Sequence, residues 1–220
     1  MAKTGRGKLI LIEGLDRSGK STQSALLQRQ LPNCELLKFP DRSTRVGSLI
    51  NDYLTGKTQL SDQSAHLLFS ANRWELAKSI EEKLLQGKFI VLDRYIYSGI
   101  AYSLAKSLSN DESSPEMKSV EWLYSPDKGL PKPDLTLFLS LPTEELARRK
   151  GWGEERYEDV EFQKKVRECF LRVLQDIPQD HLEIINVSDL SIEQVKSHIW
   201  EVIESKELNK LTTMPLDKLH

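Results

Sequence analysis

The stretch "EGLDRSGKST", residues 13–22, lies between the apolar run "KLILI" and a segment of helical pattern. Gly14 to Ser21 match G-x-x-x-x-G-K-S completely, and a strand before this pattern and a helix after it are the context in which it forms a phosphate-binding loop. Its glycines let backbone N–H groups turn toward phosphates, and the helix start adds the positive end of its dipole. The alternative, an ordinary glycine turn with a chance lysine, is disfavoured by the flanking strand and helix.

Residues 13–22, which we call the P-loop, predict binding of a nucleoside triphosphate with Mg²⁺. Lys20 is expected to reach the β- and γ-phosphate oxygens, and Ser21 to ligate Mg²⁺. Asp16 and Arg17 are not needed to hold phosphates and require another explanation. The predicted ATP-binding residues of the loop are Gly14, Asp16, Arg17, Ser18, Gly19, Lys20, Ser21 and Thr22.

Five short apolar runs predict the strands, and they lie at residues 8–13, 34–39, 88–93, 134–141 and 182–187. Each is nearly continuous in hydrophobic residues, which is typical of strands buried on both faces. Helical segments separate them, including residues 61–87 and a segment that begins with the capping pattern Ser191 to Gln194. The alternation predicts an α/β fold, a doubly wound five-stranded parallel sheet flanked by helices, in a single domain over residues 1–220.

Composition excludes several classes of protein. The 220 residues are 29% charged and 39% hydrophobic, which is typical of a soluble globular protein, and no apolar run is long enough to span a membrane. A net charge of −2 gives no general attraction for nucleic acid, so bound anions must be held by locally placed cations. Cys34 and Cys169 are too few for a disulfide framework, and Glu13 ends the first apolar run too early for a signal peptide. We therefore predict a cytoplasmic protein, with the nucleus open as an additional compartment.

Charged residues follow the second and third predicted strands. Asp93 ends the third strand, where a carboxylate can orient Mg²⁺ or its waters, although an aspartate here can also cap a turn. Arg42, in "FPDRST", and Arg94, in "DRY", both lie at the carboxyl ends of strands. Paired guanidinium groups bind a phosphate dianion well, whereas either arginine alone could simply be solvated.

An aromatic residue and an arginine share one face of a predicted helix. In "HLLFSANRWE", Phe69 and Arg73 are four residues apart. A ring beside a fork of donors can stack on a base and donate to its exocyclic oxygen. The alternative is a core phenylalanine beside an arginine at its rim.

Taken together, these motifs resemble the thymidylate kinase family, whose members have the P-loop nucleoside monophosphate kinase fold and phosphorylate dTMP to dTDP with ATP. The likeness covers nearly the whole chain and rests on "EGLDRSGKSTQ", "FPDRST", "HLLFSANRWE", "DRYIYSGIAY", "GLPKPDLTLFL" and "GWGEERYED", in the family's order. It implies ATP and Mg²⁺ as cofactors, a homodimer, and neither nucleic acid nor membrane as a partner.

The resemblance also implies roles for individual residues. Phe69 would stack on thymine, Arg73 would donate to its O4, and Asp16 would take the 3′-hydroxyl of the acceptor sugar. The implied acceptor region covers about residues 39–75 and 93–105. The residues implied to bind dTMP are Asp16, Phe39, Pro40, Arg42, Phe69, Arg73, Arg94, Ser98, Gly99, Tyr102, Tyr157 and Gln163. Arg149 would lie against adenine, and residues 148–158 would form a lid with Gly151 and Gly153 as hinges.

Arg17 fits the role of an arginine finger, which neutralises charge on the phosphoryl group in transit. In the family, one branch carries this arginine in the P-loop, whereas the other places basic residues in the lid. This chain has Arg17 and also basic lid residues, namely Arg148, Arg149, Lys150 and Arg156. The sequence therefore leaves open whether Arg17 or the lid supplies the positive charge. The predicted catalytic residues are Arg17, Lys20, Asp93 and Arg94, with Ser21 and Asp93 at the metal.

Two other functions remain as alternatives. A deoxynucleoside kinase would phosphorylate thymidine itself and would not need paired arginines for its acceptor. A P-loop switch protein would specify guanine through N-K-x-D, but the nearest string, "NKLT" at Asn209, lacks the aspartate.

Overall fold

Five parallel strands form one sheet in the order β2-β3-β1-β4-β5 in the computed structural model, which describes residues 5–142, 145, 157 and 159–220. The strands are β1 (Leu9–Gly14), β2 (Cys34–Lys38), β3 (Phe89–Asp93), β4 (Leu135–Ser140) and β5 (Leu182–Asn186). All five predicted strands are therefore confirmed. Their parallel order, with β1 between β3 and β4, confirms the doubly wound topology.

Helices flank this sheet. Their bounds are α1 (Lys20–Gln30), α2 (Arg45–Leu54), α3 (Asp62–Leu85), α4 (Ile96–Leu108), α5 (Val120–Tyr124), α6 (Val160–Leu174) and α7 (Ile192–Ser205), with short 3₁₀ turns at Pro115–Lys118, Ser125–Asp127 and Gln179–His181. The predicted capping box at the start of α7 is present, because Ser191 and Gln194 exchange side-chain and backbone hydrogen bonds. Among the described residues, none of these helices combines the length and apolarity needed to cross a bilayer.

The position of a strand in the sheet decides its burial. The central strands β1 and β3 are buried along their whole length. The expectation of burial on both faces is wrong for β2 and β5, where most residues are only half-buried or exposed. Both lie at the edges of the sheet, where no further strand covers the outer side.

The carboxyl ends of β1, β2 and β3 meet at one edge of the sheet. Asp93, the last residue of β3, is in register with Ile12 of β1 and with Lys38 of β2. The P-loop leaves this edge after Gly14 and enters α1 at Lys20. Charged residues that follow three different strands are thereby brought to one place, which is where open α/β sheets bind ligands.

Both cysteines are free. Burial raises the pKa of the Cys34 thiol to about 12 and that of Cys169 to about 11. Neither thiol is therefore ionised to a reactive thiolate at neutral pH.

Candidate active site

The P-loop requires glycine at two positions. A Cβ on Gly14 would lie 2.6 Å from the carbonyl oxygen of Leu139 and 2.7 Å from Ser18 Oγ, and its φ is +149°. Gly19 has a left-handed φ of +96°. It is the residue before α1, and no side-chain hydrogen bond caps the helix there. The first backbone N–H groups of α1 are thus not capped by a side chain at this position, as a phosphate-binding helix start requires.

Lys20 is buried beneath this loop. Its Nζ donates to the carbonyl oxygen of Leu15. Burial and the nearby Arg94 guanidinium together lower the pKa of Lys20 to about 7, against the opposing effect of Asp16 and Asp93. An anion arriving at this ammonium would stabilise its charged form.

The hydroxyl and carboxylate predicted for magnesium are in contact. Ser21 Oγ donates to Asp93 Oδ2 at 2.5 Å, and Lys38 Nζ lies 4.0 Å from the same oxygen. Asp93 Oδ1 is buried and has no hydrogen-bond partner among the described residues. Oxygen ligands from one hydroxyl and one carboxylate fit Mg²⁺, which usually keeps waters and phosphate oxygens for its other positions.

Two cavities open at this edge of the sheet. The larger has a volume of about 790 Å³ and contains nearly all of the residues implied to bind dTMP, namely Asp16, Phe39, Pro40, Arg42, Phe69, Arg73, Arg94, Ser98, Gly99, Tyr102 and Tyr157. The smaller, of about 510 Å³, is lined by the P-loop residues from Asp16 to Thr22 and by Asp93. Asp16, Lys38 and Arg94 line both cavities. We call the larger space the acceptor cavity and the smaller one the P-loop cavity.

Arg94 and Asp16 form an ion pair at the wall between the two cavities. The Arg94 guanidinium also donates to the carbonyl oxygen of Gly14 at 3.1 Å and to Ser98 Oγ at 2.9 Å. Burial disfavours the charge on Asp16, but Arg94 and Lys20 outweigh it and lower the pKa of Asp16 to about 2. The acid in the P-loop therefore stays ionised and fixes the arginine.

Asp16 also accepts hydrogen bonds from side chains of the helices α4 and α6. Tyr102 Oη donates to Asp16 Oδ2 at 2.8 Å, and Gln163 Nε2 approaches the same oxygen at 3.3 Å. Gln163 is fully buried, does not line either cavity, and donates to the carbonyl oxygen of Tyr157 at 3.0 Å. Gln163 thus lies behind the cavity wall, where it orients Asp16.

Sequence reasoning missed Glu13, which precedes the P-loop. This carboxylate is fully buried and accepts hydrogen bonds from the backbone of Tyr95 and Ser98, both at 3.0 Å, and from Ser98 Oγ at 2.5 Å. Burial raises its pKa, while Arg94 and these hydrogen bonds act in the opposite direction. Lys38 was also missed, although its position at the end of β2 is the same signal that pointed to Arg42.

Phe69 and Arg73 share the inner face of α3, as predicted, and both line the acceptor cavity. Arg73 is not a rim residue, however, because it is buried in an ion pair with Asp127, with Nη2 2.7 Å from Oδ2. Asp127 lies in the loop between α5 and β4, and nothing in the sequence indicates its contact with α3. Gly99 lies directly against this guanidinium, since a Cβ there would be 2.9 Å from Arg73 Nη1.

Arg42 is exposed at the mouth of the acceptor cavity, where its Nη1 donates to Asn51 Oδ1 at 3.1 Å. Its loop is held by Asn72, which accepts from the backbone N–H of Asp41 at 2.7 Å. A Cβ on Gly47 would lie 1.8 Å from the carbonyl oxygen of Asp41, so α2 can approach this loop only with glycine.

The predicted adenine contact at Arg149 and the predicted lid at residues 148–158, with the exception of Tyr157, lie outside the described residues. Tyr157 lines the acceptor cavity, and its ring stacks on Phe162 at 5.3 Å between centroids.

Comparison with known proteins identifies relatives along the whole chain. The sequence model of a family described as thymidylate kinase matches residues 12–199. A thymidylate kinase of Schizosaccharomyces pombe is 46% identical over 215 residues, covering 96% of this chain and 98% of that protein. The thymidylate kinase of Homo sapiens is 44% identical over 218 residues, with 97% of each chain covered. The solved structure of the thymidylate kinase from Candida albicans superposes with a TM-score of 0.95 at 53% identity, covering 99% of this chain and 100% of that chain.

Proposed function

This chain belongs to the thymidylate kinase family: it transfers the γ-phosphoryl group of ATP to dTMP, giving dTDP and ADP, and we propose that its two cavities hold these nucleotides end to end. The observation that carries the proposal is the shared wall, because Asp16, Lys38 and Arg94 line both the acceptor cavity and the P-loop cavity. Two anionic ends that meet at this wall repel each other, and cations there reduce that repulsion.

In the P-loop cavity, ATP is bound by backbone N–H groups of the loop and by Lys20, which meets the β- and γ-phosphate oxygens. Arg17, which lines this cavity, neutralises charge on the phosphoryl group during transfer. Ser21 and Asp93 hold Mg²⁺, which supplies charge neutralisation when bound. The partnerless Oδ1 of Asp93 supports this assignment. Arg149 contacts adenine, and residues 148–158 close over the nucleotide.

In the acceptor cavity, Phe69 stacks on thymine, Arg73 donates to its O4, and Arg42 and Arg94 bind the phosphate. Asp16 accepts the 3′-hydroxyl, and its lowered pKa of about 2 supports that role because an ionised carboxylate is the better acceptor. The remaining proposed dTMP-binding residues are Phe39, Pro40, Ser98, Gly99, Tyr102 and Tyr157. Gln163, which does not line the cavity, acts on dTMP by orienting Asp16. The acceptor phosphate is already an anionic nucleophile, so alignment and charge neutralisation suffice without a general base.

We also propose that residues 1–220 form one P-loop kinase domain and that the protein acts as a homodimer in the cytoplasm, with the nucleus as an additional compartment. Leu67 and Trp74 support a dimer, because they lie seven residues apart on α3 and are 46% and 43% exposed. Sedimentation of the purified protein tests this, and a monomer at micromolar concentration would contradict it.

The test of the whole assignment is an assay of ADP formation with ATP and Mg²⁺ against dTMP, dUMP, UMP, CMP, AMP, GMP and thymidine. A clear preference for dTMP is expected. Activity on thymidine with none on dTMP would instead select the deoxynucleoside kinase alternative.

A further inference from the structure

Arg73 and Asp127 form a two-point ion pair deep beside the acceptor cavity. Arg73 Nε donates to Asp127 Oδ1 at 3.0 Å, and Nη2 donates to Oδ2 at 2.7 Å. The two residues are 2% and 0% exposed, so solvent does not compete for these hydrogen bonds. The parallel pairing fixes both the position and the plane of the guanidinium.

Asp127 is itself held from two directions. Ser70, one turn before Arg73 on α3, donates to Asp127 Oδ1 at 2.7 Å. The turn that carries Asp127 is bonded to the same helix by Trp74, whose Nε1 donates to the carbonyl oxygen of Pro126 at 2.8 Å. Helix α3 and this turn therefore form one rigid support for the guanidinium.

The ion pair leaves Nη1 of Arg73 directed toward Gly99 and the acceptor cavity. Within the described part of the chain, Nη1 donates to no protein acceptor, and a Cβ on Gly99 would be only 2.9 Å from it. A guanidinium carries donors and no acceptor. It therefore suits a carbonyl at the base edge and opposes an amino group at the same place.

We propose that Asp127 is a positioning residue that sets the choice of pyrimidine by holding Arg73 with its donors toward the base edge. This inference rests on the proposed function, in which Arg73 meets O4 of the base. It adds that discrimination between a carbonyl and an amino group depends on a residue that does not line the cavity.

The substrates that test it are dUMP and dCMP, which differ at this edge of the base, with dTMP as the third. The ratio of kcat/KM for dUMP to that for dCMP measures the preference for a carbonyl over an amino group at this edge. The ratio for dTMP to dUMP measures only the preference for the methyl group. Both ratios are independent of the fraction of folded enzyme, so a purely structural defect moves neither. A wild-type enzyme without preference for dUMP over dCMP would refute the proposed role of Arg73, and this inference with it.

With that preference established, Asp127→Asn is expected to lower the dUMP-to-dCMP ratio at least about tenfold, because the new amide N–H₂ opposes the arginine donors and turns the guanidinium. The KM for dUMP should rise, while the KM for ATP and the dTMP-to-dUMP ratio should stay unchanged. An unchanged dUMP-to-dCMP ratio in the folded variant would overturn the inference and leave the role of Arg73 intact.

Ser70→Ala is the milder variant in case Asp127→Asn does not fold, since it removes the hydrogen bonds of Ser70 to Asp127 Oδ1 and to the carbonyl oxygen of Pro126 and keeps the ion pair. It should lower the same ratio about threefold. Ser107→Ala is the matched control, because Ser107 is also a buried serine. Its hydroxyl donates to the backbone carbonyl oxygens of Leu104 and Met117 and not to Asp127. Equal ratios in the Ser70 and Ser107 variants would overturn the inference.

Discussion

Ser21 and Asp93 are in hydrogen-bond contact, with Oγ donating to Oδ2 at 2.5 Å, although 72 positions separate them in the chain. The contact joins the first turn of α1 to the last residue of β3. The other carboxylate oxygen of Asp93 is buried and has no partner within the described residues. The pair therefore presents oxygen ligands in the wall of the P-loop cavity, where a hard cation would meet nucleotide phosphates.

Replacing this carboxylate should change the requirement for magnesium. Asp93→Asn keeps the shape of the side chain but removes its charge, so we expect the Mg²⁺ concentration for half-maximal rate to rise at least about tenfold. Titration of activity with Mg²⁺ at saturating nucleotides measures it. Asp180→Asn, at a side chain that is 76% exposed, is the control and should leave the titration unchanged. An unaltered Mg²⁺ titration in Asp93→Asn would remove Asp93 from the metal site.

Arg17 is expected to act on the transition state rather than on substrate binding. Its φ is +64°, in the left-handed region. This conformation is as unfavourable for alanine as for arginine, so Arg17→Ala removes the charge without changing the backbone strain of the loop. We expect kcat to fall at least about tenfold, or 1.4 kcal/mol, with little change in the KM for dTMP. Steady-state kinetics with both substrates varied would measure this. An unchanged kcat would assign the charge to the basic residues at 148–156.

Phe69 should contribute mainly to binding of the acceptor base. Stacking on an aromatic ring is worth roughly 1 to 3 kcal/mol per base, so Phe69→Ala should raise the KM for dTMP roughly 5- to 150-fold. Phe69→Leu keeps an apolar side chain without the ring face and should give an intermediate value. The KM for ATP serves as the internal control. If the KM for dTMP stayed at the wild-type value in both variants, the base would have to bind elsewhere.

Local patterns predicted the strands and the phosphate loop well. The P-loop is a contiguous signal, and apolar runs located all five strands. The same runs could not show which strands lie at the edges, because strand order depends on the path of the connecting helices. That is why the expected burial was wrong for β2 and β5.

The missed residues of the site act through distant contacts. Asp127 lies 54 positions from Arg73, and Glu13 lies 85 positions from Ser98. Neither pair leaves a periodic pattern, since each depends on how a loop or a helix start docks on the sheet. The sequence could place Arg73 on a face of α3, but only the packed structure shows that a buried carboxylate fixes its orientation.

The buried ammonium of Lys20 predicts proton uptake when ATP binds. Burial lowers its pKa to about 7 in the free protein, so Lys20 is charged below that pH and becomes neutral above it. Phosphate oxygens stabilise the charged form and raise the pKa of Lys20 in the complex. ATP affinity should therefore fall as the pH rises above about 7, and binding at about pH 8 should take up as much as about one proton.

Calorimetric titration with ATP in two buffers of different ionisation enthalpy, at about pH 8, measures this uptake directly. The phosphates of ATP are already ionised there, so they release few protons that could mask it. Lys20→Ala is the control and should bind ATP more weakly, without uptake. An apparent enthalpy that is identical in both buffers for the wild-type protein would mean that Lys20 is already charged before ATP arrives, held so by Asp16 and Asp93 in spite of its burial.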